Sequence, residues 1–200
     1  MIRLYDYLPS GNGYKVRLLL TQLAIPFERV DLDIVHGATR TSGFLAKNPN
    51  GRIPTIELDD GRTLAESNAI LWYFAEGTSF VPEDRWARAQ VLQWMFFEQY
   101  SHEPNIATVR FWLHTTMTDE RRMLLPGKRA AGYAALDVME RHLASHAFFV
   151  AERYTIADIA LYAYTHVAAE GEFDLGRYGA IGAWLDRVRT QPRHIPITQA

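Results

Sequence analysis

The 200-residue sequence predicts an α/β domain followed by an all-α domain, and three observations carry that prediction. From the N-terminus to about residue 76, strand patterns of period two alternate with helix patterns of period 3.6. Within that stretch, Asp60-Gly61 lies between Ile56-Glu57-Leu58 and Thr63-Leu64, a strong hairpin signal. Beyond Gly77-Thr78-Ser79-Phe80-Val81-Pro82-Glu83-Asp84 the strand signals stop and helical periodicity takes over. The domains are read as 1–76 and 85–200, with 77–84 as the linker.

Each element has its own signal. Ile2 to Tyr7 alternates apolar and polar residues and reads as a strand, and Pro9-Ser10-Gly11-Asn12-Gly13 reads as a loop. Val16, Leu19, Leu20 and Leu23 then give one apolar helix face. Pro26 to Leu32 restarts a strand, and the intervening helix makes the first two strands parallel. Residues 36–47 are loop-like with a short helix over Thr41 to Ala46. Asn50-Gly51 marks a turn, and Pro54 opens the third strand, where no ladder donor is needed. Glu66, Ser67 and Asn68 are cap-type residues ahead of Ile70, Leu71 and Phe74, which share a helix face.

In the second domain, Arg85 to about Thr116 is a long helical stretch, interrupted or bent near Pro104. Another helix runs from about Gly127 to Ser145 with Leu136, Met139 and Leu143 on one face. Thr155 and Asp158 form a shorter version of the capping box at a helix start. Ile181, Trp184, Leu185 and Val188 give the last amphipathic helix.

Composition narrows the function classes. A net charge of −2 supplies no strong field for nucleic acid or an anionic membrane. No apolar run approaches the ~18 residues of a membrane span, and the N-terminus lacks a secretory pattern. With no cysteine, disulfides, thiolate metal sites and a cysteine nucleophile are excluded. The seven histidines show no metal-ligand spacing. The loop at residues 10–17 lacks the spacing of a phosphate-binding loop. A cytoplasmic location is the default.

The order of features over residues 48–76 points to a ligand. An X-Pro bond at a strand's start can be cis. A cis bond at Ile53-Pro54 would turn the Ile53 amide and carbonyl outward, ready to pair with an extended peptide. Ser67, at a helix N-terminus, is suited to a carboxylate. Taken singly, each feature reads more simply as a proline opening an edge strand or a serine capping a helix.

Together, Asn48-Pro49-Asn50-Gly51-Arg52-Ile53-Pro54 and Glu66-Ser67-Asn68-Ala69-Ile70, spaced by a hairpin, resemble the glutathione-binding half of the soluble, bacterial-like glutathione S-transferases. The Thr155/Asp158 cap resembles that family's N-capping motif. The resemblance covers nearly the whole chain and implies a thioredoxin-like N-terminal domain, an all-α C-terminal domain and a cytoplasmic homodimer. It implies glutathione as co-substrate, held as the thiolate and added to a small apolar electrophile in detoxification, without metal, nucleic acid or membrane. By the same resemblance, Ile53 and Pro54 present the backbone edge. Glu66 accepts from the γ-glutamyl ammonium and Ser67 donates to the γ-glutamyl carboxylate. Arg52 serves the glycine carboxylate or the thiol side. Ser10 is the first choice and Asn12 the second for the group that stabilises the thiolate. A thiol pKa of ~8.5 falls by one unit for each ~1.4 kcal/mol of preference for the anion, which one hydrogen bond plus a helix N-terminus can supply. Tyr5 and Tyr7 lie near, inside and at the end of the first strand. The aromatic run from Phe96 to Tyr100, followed by Phe111 and Trp112, falls where the family builds its electrophile pocket and part of its dimer contact; core packing is the better reading of any one of these taken singly. Two alternatives stay open: a glutathione-dependent reductase, peroxidase or isomerase, and a non-catalytic binding protein of the same fold.

Overall fold

The computed structural model describes residues 1–199, and the chain divides into two compact units. One comprises Met1–Thr78 together with the chain from Pro192 onward; the other is Ser79–Gln191. The sequence reading carried the second domain through residue 200. The last residues instead belong with the first unit, because their backbone carbonyls serve donors on its first helix.

The first unit is a four-stranded mixed sheet with helices. Strands β1 (Ile2–Asp6) and β2 (Phe27–Asp31) flank helix α1 (Gly11–Gln22). A 3-10 turn (Ala38–Arg40) and the short helix α2 (Ser42–Leu45) precede β3 (Thr55–Glu57), β4 (Thr63–Ala65) and α3 (Ser67–Ala75). The sheet order is β2-β1-β3-β4, with β1 and β2 parallel as the crossover requires and the other pairs antiparallel. Leu4 pairs with Ile56, and Ile56 with Leu64, in one row across the sheet. Leu4 and Ile56 are fully buried against Val16, Leu20 and Ile70 of the helices. Each such side chain contributes roughly 1.5–3 kcal/mol by leaving water.

α1 is more deeply placed than one apolar face implies: every residue from Gly13 to Leu20 is buried, Lys15 and Arg17 included. Arg17 Nε lies 3.1 Å from Asp6 Oδ2, an ion pair with neither side chain exposed. Burial pushes the Asp6 carboxyl up and the Arg17 guanidinium down, each partly opposed by the other's charge. The Arg17 amino groups donate to Leu8 O at 2.7 Å and Gln199 O at 2.6 Å. Tyr14 donates to Ile195 O at 2.7 Å. Gly13 is required where it stands, since a Cβ there would lie 1.6 Å from Asp6 Oδ1.

The second unit is helical. Asp84 caps α4 (Arg85–Phe97) by accepting from Ala87 N at 2.8 Å. A π turn (Glu98–His102) leads into α5 (Glu103–Leu113). The expected break near Pro104 is therefore this wider turn. Proline lacks the donor its neighbour four residues back would need, and it sits in the first turn of α5, where none is required. Asn105 Nδ2 bonds the Ser101 carbonyl at 2.7 Å. Helix α6 (Asp119–Leu143) begins at the Thr118 cap, well before Gly127, and continues through Pro126. Its Leu136, Met139 and Leu143 are buried as the pattern implied.

The core of this unit is α7 (Ile156–Thr165), buried at every position. It starts with the expected capping box, and Asp158 does more than cap. Its Oδ2 accepts from Thr155 N (2.9 Å) and Thr155 Oγ1 (3.1 Å), and its Oδ1 from Phe149 N (3.2 Å) and Trp184 Nε1 (3.0 Å). Trp184 belongs to α8 (Gly179–Arg189), so one carboxylate ties three segments together. Burial nonetheless pushes its pKa up to about 6 against the effect of these four donors. No helix among the described residues is long and apolar enough to cross a membrane.

Candidate functional site

The residues singled out from the sequence lie on two loops and one helix end of the first unit. Asn48 builds the turn ahead of β3. It is buried, donates from Nδ2 to Arg52 O (2.8 Å) and Thr55 Oγ1 (3.1 Å), and accepts from Asn50 N at 3.0 Å through Oδ1. Gly51 follows at φ +62°, close against Arg40, whose Nη1 donates to Asn50 O. The Ile53-Pro54 peptide bond is cis. Among the described residues the Ile53 N–H and C=O make no backbone hydrogen bond. Arg52 is exposed, Ile53 half-buried and Pro54 buried.

The β3/β4 register brings the second loop alongside. Thr55, the first residue of β3, pairs with Ala65, the last of β4, so Ile53-Pro54 and Glu66-Ser67 adjoin the same end of the strand pair. Glu66 is held at φ 67° and ψ 112°, a sparsely populated conformation for a residue with a side chain, worth about 1–3 kcal/mol. Glu66 takes the N-cap position of α3 but makes no side-chain cap bond, and Ser67 is the first helical residue. Glu66 is exposed while Ser67 is buried. The amides of the first turn of α3 carry the positive end of the helix dipole there.

The start of α1 completes the arrangement, since the helix begins at Gly11 where a loop through Gly13 was expected. Ser10 is the N-cap of α1, with Oγ accepting from Gly13 N at 3.3 Å. Asn12 does not merely shape the turn. Its Oδ1 accepts from Ser67 Oγ at 3.2 Å and from Lys15 Nζ at 2.8 Å, and Lys15 Nζ also reaches Ser67 Oγ at 3.3 Å. The structure thus joins Asn12 to Ser67 directly and leaves Ser10 in a capping role. Tyr5 is turned elsewhere, donating to Glu57 at 2.6 Å.

Sequence reasoning missed Lys15 and the Asp6–Arg17 pair, and it named Asn48 within the turn motif without giving it a role. The signal for the two cations was available: they are the only charges between Gly13 and Leu20, a stretch with no other solvent-seeking residue. Among the described residues no group of three or more potential metal ligands comes together. Chemically, the site offers an unpaired backbone edge, a helix N-terminus with a hydroxyl, and an oriented amide.

Comparison with known proteins gives the family. The family model for the glutathione S-transferase N-terminal domain matches residues 9–76, and that for the C-terminal domain matches residues 103–192. A glutathione S-transferase structure from Pseudomonas fluorescens is similar at 53% identity and TM-score 0.96, covering 99% of each chain. The disulfide-bond oxidoreductase YfcG of Escherichia coli is 29% identical over 96% of this chain and 92% of its own. Ure2p in complex with glutathione has the same fold, at 22% identity and TM-score 0.87 over 96% of this chain and 95% of that one. The chain belongs to the glutathione S-transferase family.

Proposed function

We propose that this protein binds glutathione on its first unit and adds it, as the thiolate, to the electrophilic carbon of a small apolar compound. The observation that carries this reading is the convergence at Ser67. The Ile53-Pro54 edge and Ser67 adjoin the same end of the β3/β4 pair, and the Ser67 hydroxyl bonds Asn12 at 3.2 Å. A γ-glutamyl carboxylate fits the α3 N-terminus and the Ser67 hydroxyl, with the ammonium near Glu66. The cysteinyl residue pairs with Ile53 across the edge ahead of Pro54. Arg52, exposed beside that edge, suits the glycine carboxylate. Ser10 or Asn12, with the N-terminus of α1, stabilises the sulfur anion, whose proton leaves to solvent. In conjugation the sulfur forms a bond to carbon as the leaving group departs or a double-bond electron pair shifts. The reading includes a cytoplasmic homodimer.

A second reading is favoured by the likeness to an oxidoreductase. Two glutathione molecules supply two electrons to a substrate disulfide, releasing two thiols and glutathione disulfide. The chain has no cysteine, so the mixed disulfide would form between glutathione and substrate. One experiment tests both: calorimetric titration with glutathione, then turnover with aryl halides, small disulfides and peroxides, products identified by mass. Glutathione adducts support conjugation, and turnover of disulfides alone supports the second reading. Absence of glutathione binding overturns both.

A further inference from the structure

Lys15 is fully buried, yet its ammonium does not end in an apolar pocket. It reaches Asn12 Oδ1 at 2.8 Å and Ser67 Oγ at 3.3 Å, and these two groups bond each other at 3.2 Å. The three form a closed triangle linking the first turn of α1 to the first residue of α3. Taking an ammonium out of water is costly unless it is well bonded, and helix α1 offers a polar outer side at Thr21 and Gln22 instead.

We infer that Lys15 is a positioning residue that holds Asn12 and Ser67 as one unit, coupling capture of a carboxylate at α3 to stabilisation of a thiolate by Asn12. The inference rests on the glutathione reading above. Its basis is hydrogen-bond bookkeeping. Ser67 has a single hydroxyl proton, directed at Asn12 Oδ1. To serve an arriving carboxylate, that proton must turn away. Lys15 supplies a second, charge-assisted donor at Asn12 Oδ1, so the acceptor remains engaged when Ser67 turns. An amide with its oxygen fixed has its NH2 group fixed as well, on the opposite side. The Asn12 amide therefore keeps its orientation while the carboxylate site fills. Lys15 also brings a positive charge to Asn12 and Ser67 in a buried position, where charge counts for more than in water.

The test uses the full-length protein and two ligands: glutathione, whose bound thiolate is followed by ultraviolet absorbance against pH, and S-methylglutathione, which has no thiol. Lys15→Met is expected to weaken S-methylglutathione about tenfold or more and to raise the midpoint of the bound thiol by about one unit. Lys15→Gln, which retains a donor without the charge, should show the same shifts at smaller size, and it carries the comparison if the methionine variant does not fold. In an Asn12→Ala background, Lys15→Met should move the midpoint by much less than in the parent, because the route through Asn12 is gone. An unchanged affinity and midpoint in the Lys15 variants, with the parent binding normally, would overturn the inference and leave the glutathione reading intact. An equal shift with and without Asn12 would reduce Lys15 to a distant charge and also overturn it. No binding by the parent would overturn both.

Discussion

The carboxylate of Asp158 offers a sharp test of the reasoning, because its two roles respond oppositely to pH. It accepts four hydrogen bonds, three of them from the N–H groups of Thr155, Phe149 and Trp184, which have no freedom to turn elsewhere. Asp158→Ala leaves those three buried donors unsatisfied, at roughly 1–3 kcal/mol each. Against this, burial raises the carboxyl from 3.8 to about 6. A raised folded-state value means that the folded protein takes up a proton which the unfolded chain has released. The stability this contributes is fully present below the unfolded value and is lost as pH rises through about 6. The full span is about 3 kcal/mol, at 1.36 kcal/mol per unit, of which about 2 kcal/mol falls between pH 4.5 and 7.5. The alanine variant lacks this term. It should therefore be less stable than the parent by roughly 3 kcal/mol or more at pH 4.5, and the deficit should shrink by about 2 kcal/mol at pH 7.5. Guanidinium melts at both pH values, followed by tryptophan fluorescence, measure it. The signal reports chiefly on the helical unit, which holds four of the five tryptophans. A deficit independent of pH would refute the raised carboxyl, and a deficit below about 1 kcal/mol at pH 4.5 would refute the four-bond account.

Three further outcomes follow from the first unit. Ser67→Ala and Glu66→Ala should each weaken glutathione binding about 10- to 100-fold by calorimetry, and unchanged affinity in both would remove the site assignment. Deleting the thiolate donor should raise the bound thiol's midpoint by about one unit and lower turnover at neutral pH about tenfold. The anchoring of Asn12 and the capping by Ser10 lead us to expect the larger shift from Asn12→Ala, and a larger shift from Ser10→Ala would reverse the roles. Arg17→Met leaves Asp6 buried without its partner and should cost about 3–5 kcal/mol in a melt; a loss under 1 kcal/mol would mean that the Asp6 carboxyl is neutral in the fold.

Much of this was legible from the sequence where a local rule acts alone. Asp60-Gly61 specifies its hairpin, Thr155 and Asp158 their cap, and Leu136, Met139 and Leu143 their face, because each depends on neighbours within a few residues. The start of α6 was not legible. Pro126 reads as a helix breaker, yet it stands on an exposed side of a helix well anchored at the Thr118 cap. The π turn before Pro104 likewise needs tertiary packing to choose it over a kink. In the site, Ser67 and Asn12 could each be picked out singly, but their contact spans 55 residues of chain and no period announces it. Lys15 was passed over for the opposite reason: a charged residue on a helix is normally solvated, and only the buried run around it argues otherwise.

The return of the last residues to the first unit has a consequence for biosynthesis. Residues 1–78 leave the ribosome long before Ile195 and Gln199, whose carbonyls receive Tyr14 and the buried Arg17. At ~5–20 residues per second, the segment between them takes about 6–24 s to make. Throughout that interval the first sheet and helices can assemble, but α1 carries donors whose acceptors do not yet exist. The helical unit, contiguous from Ser79 to Gln191, has every segment it needs on emergence. The first unit is thus completed only after the whole of the second has been made.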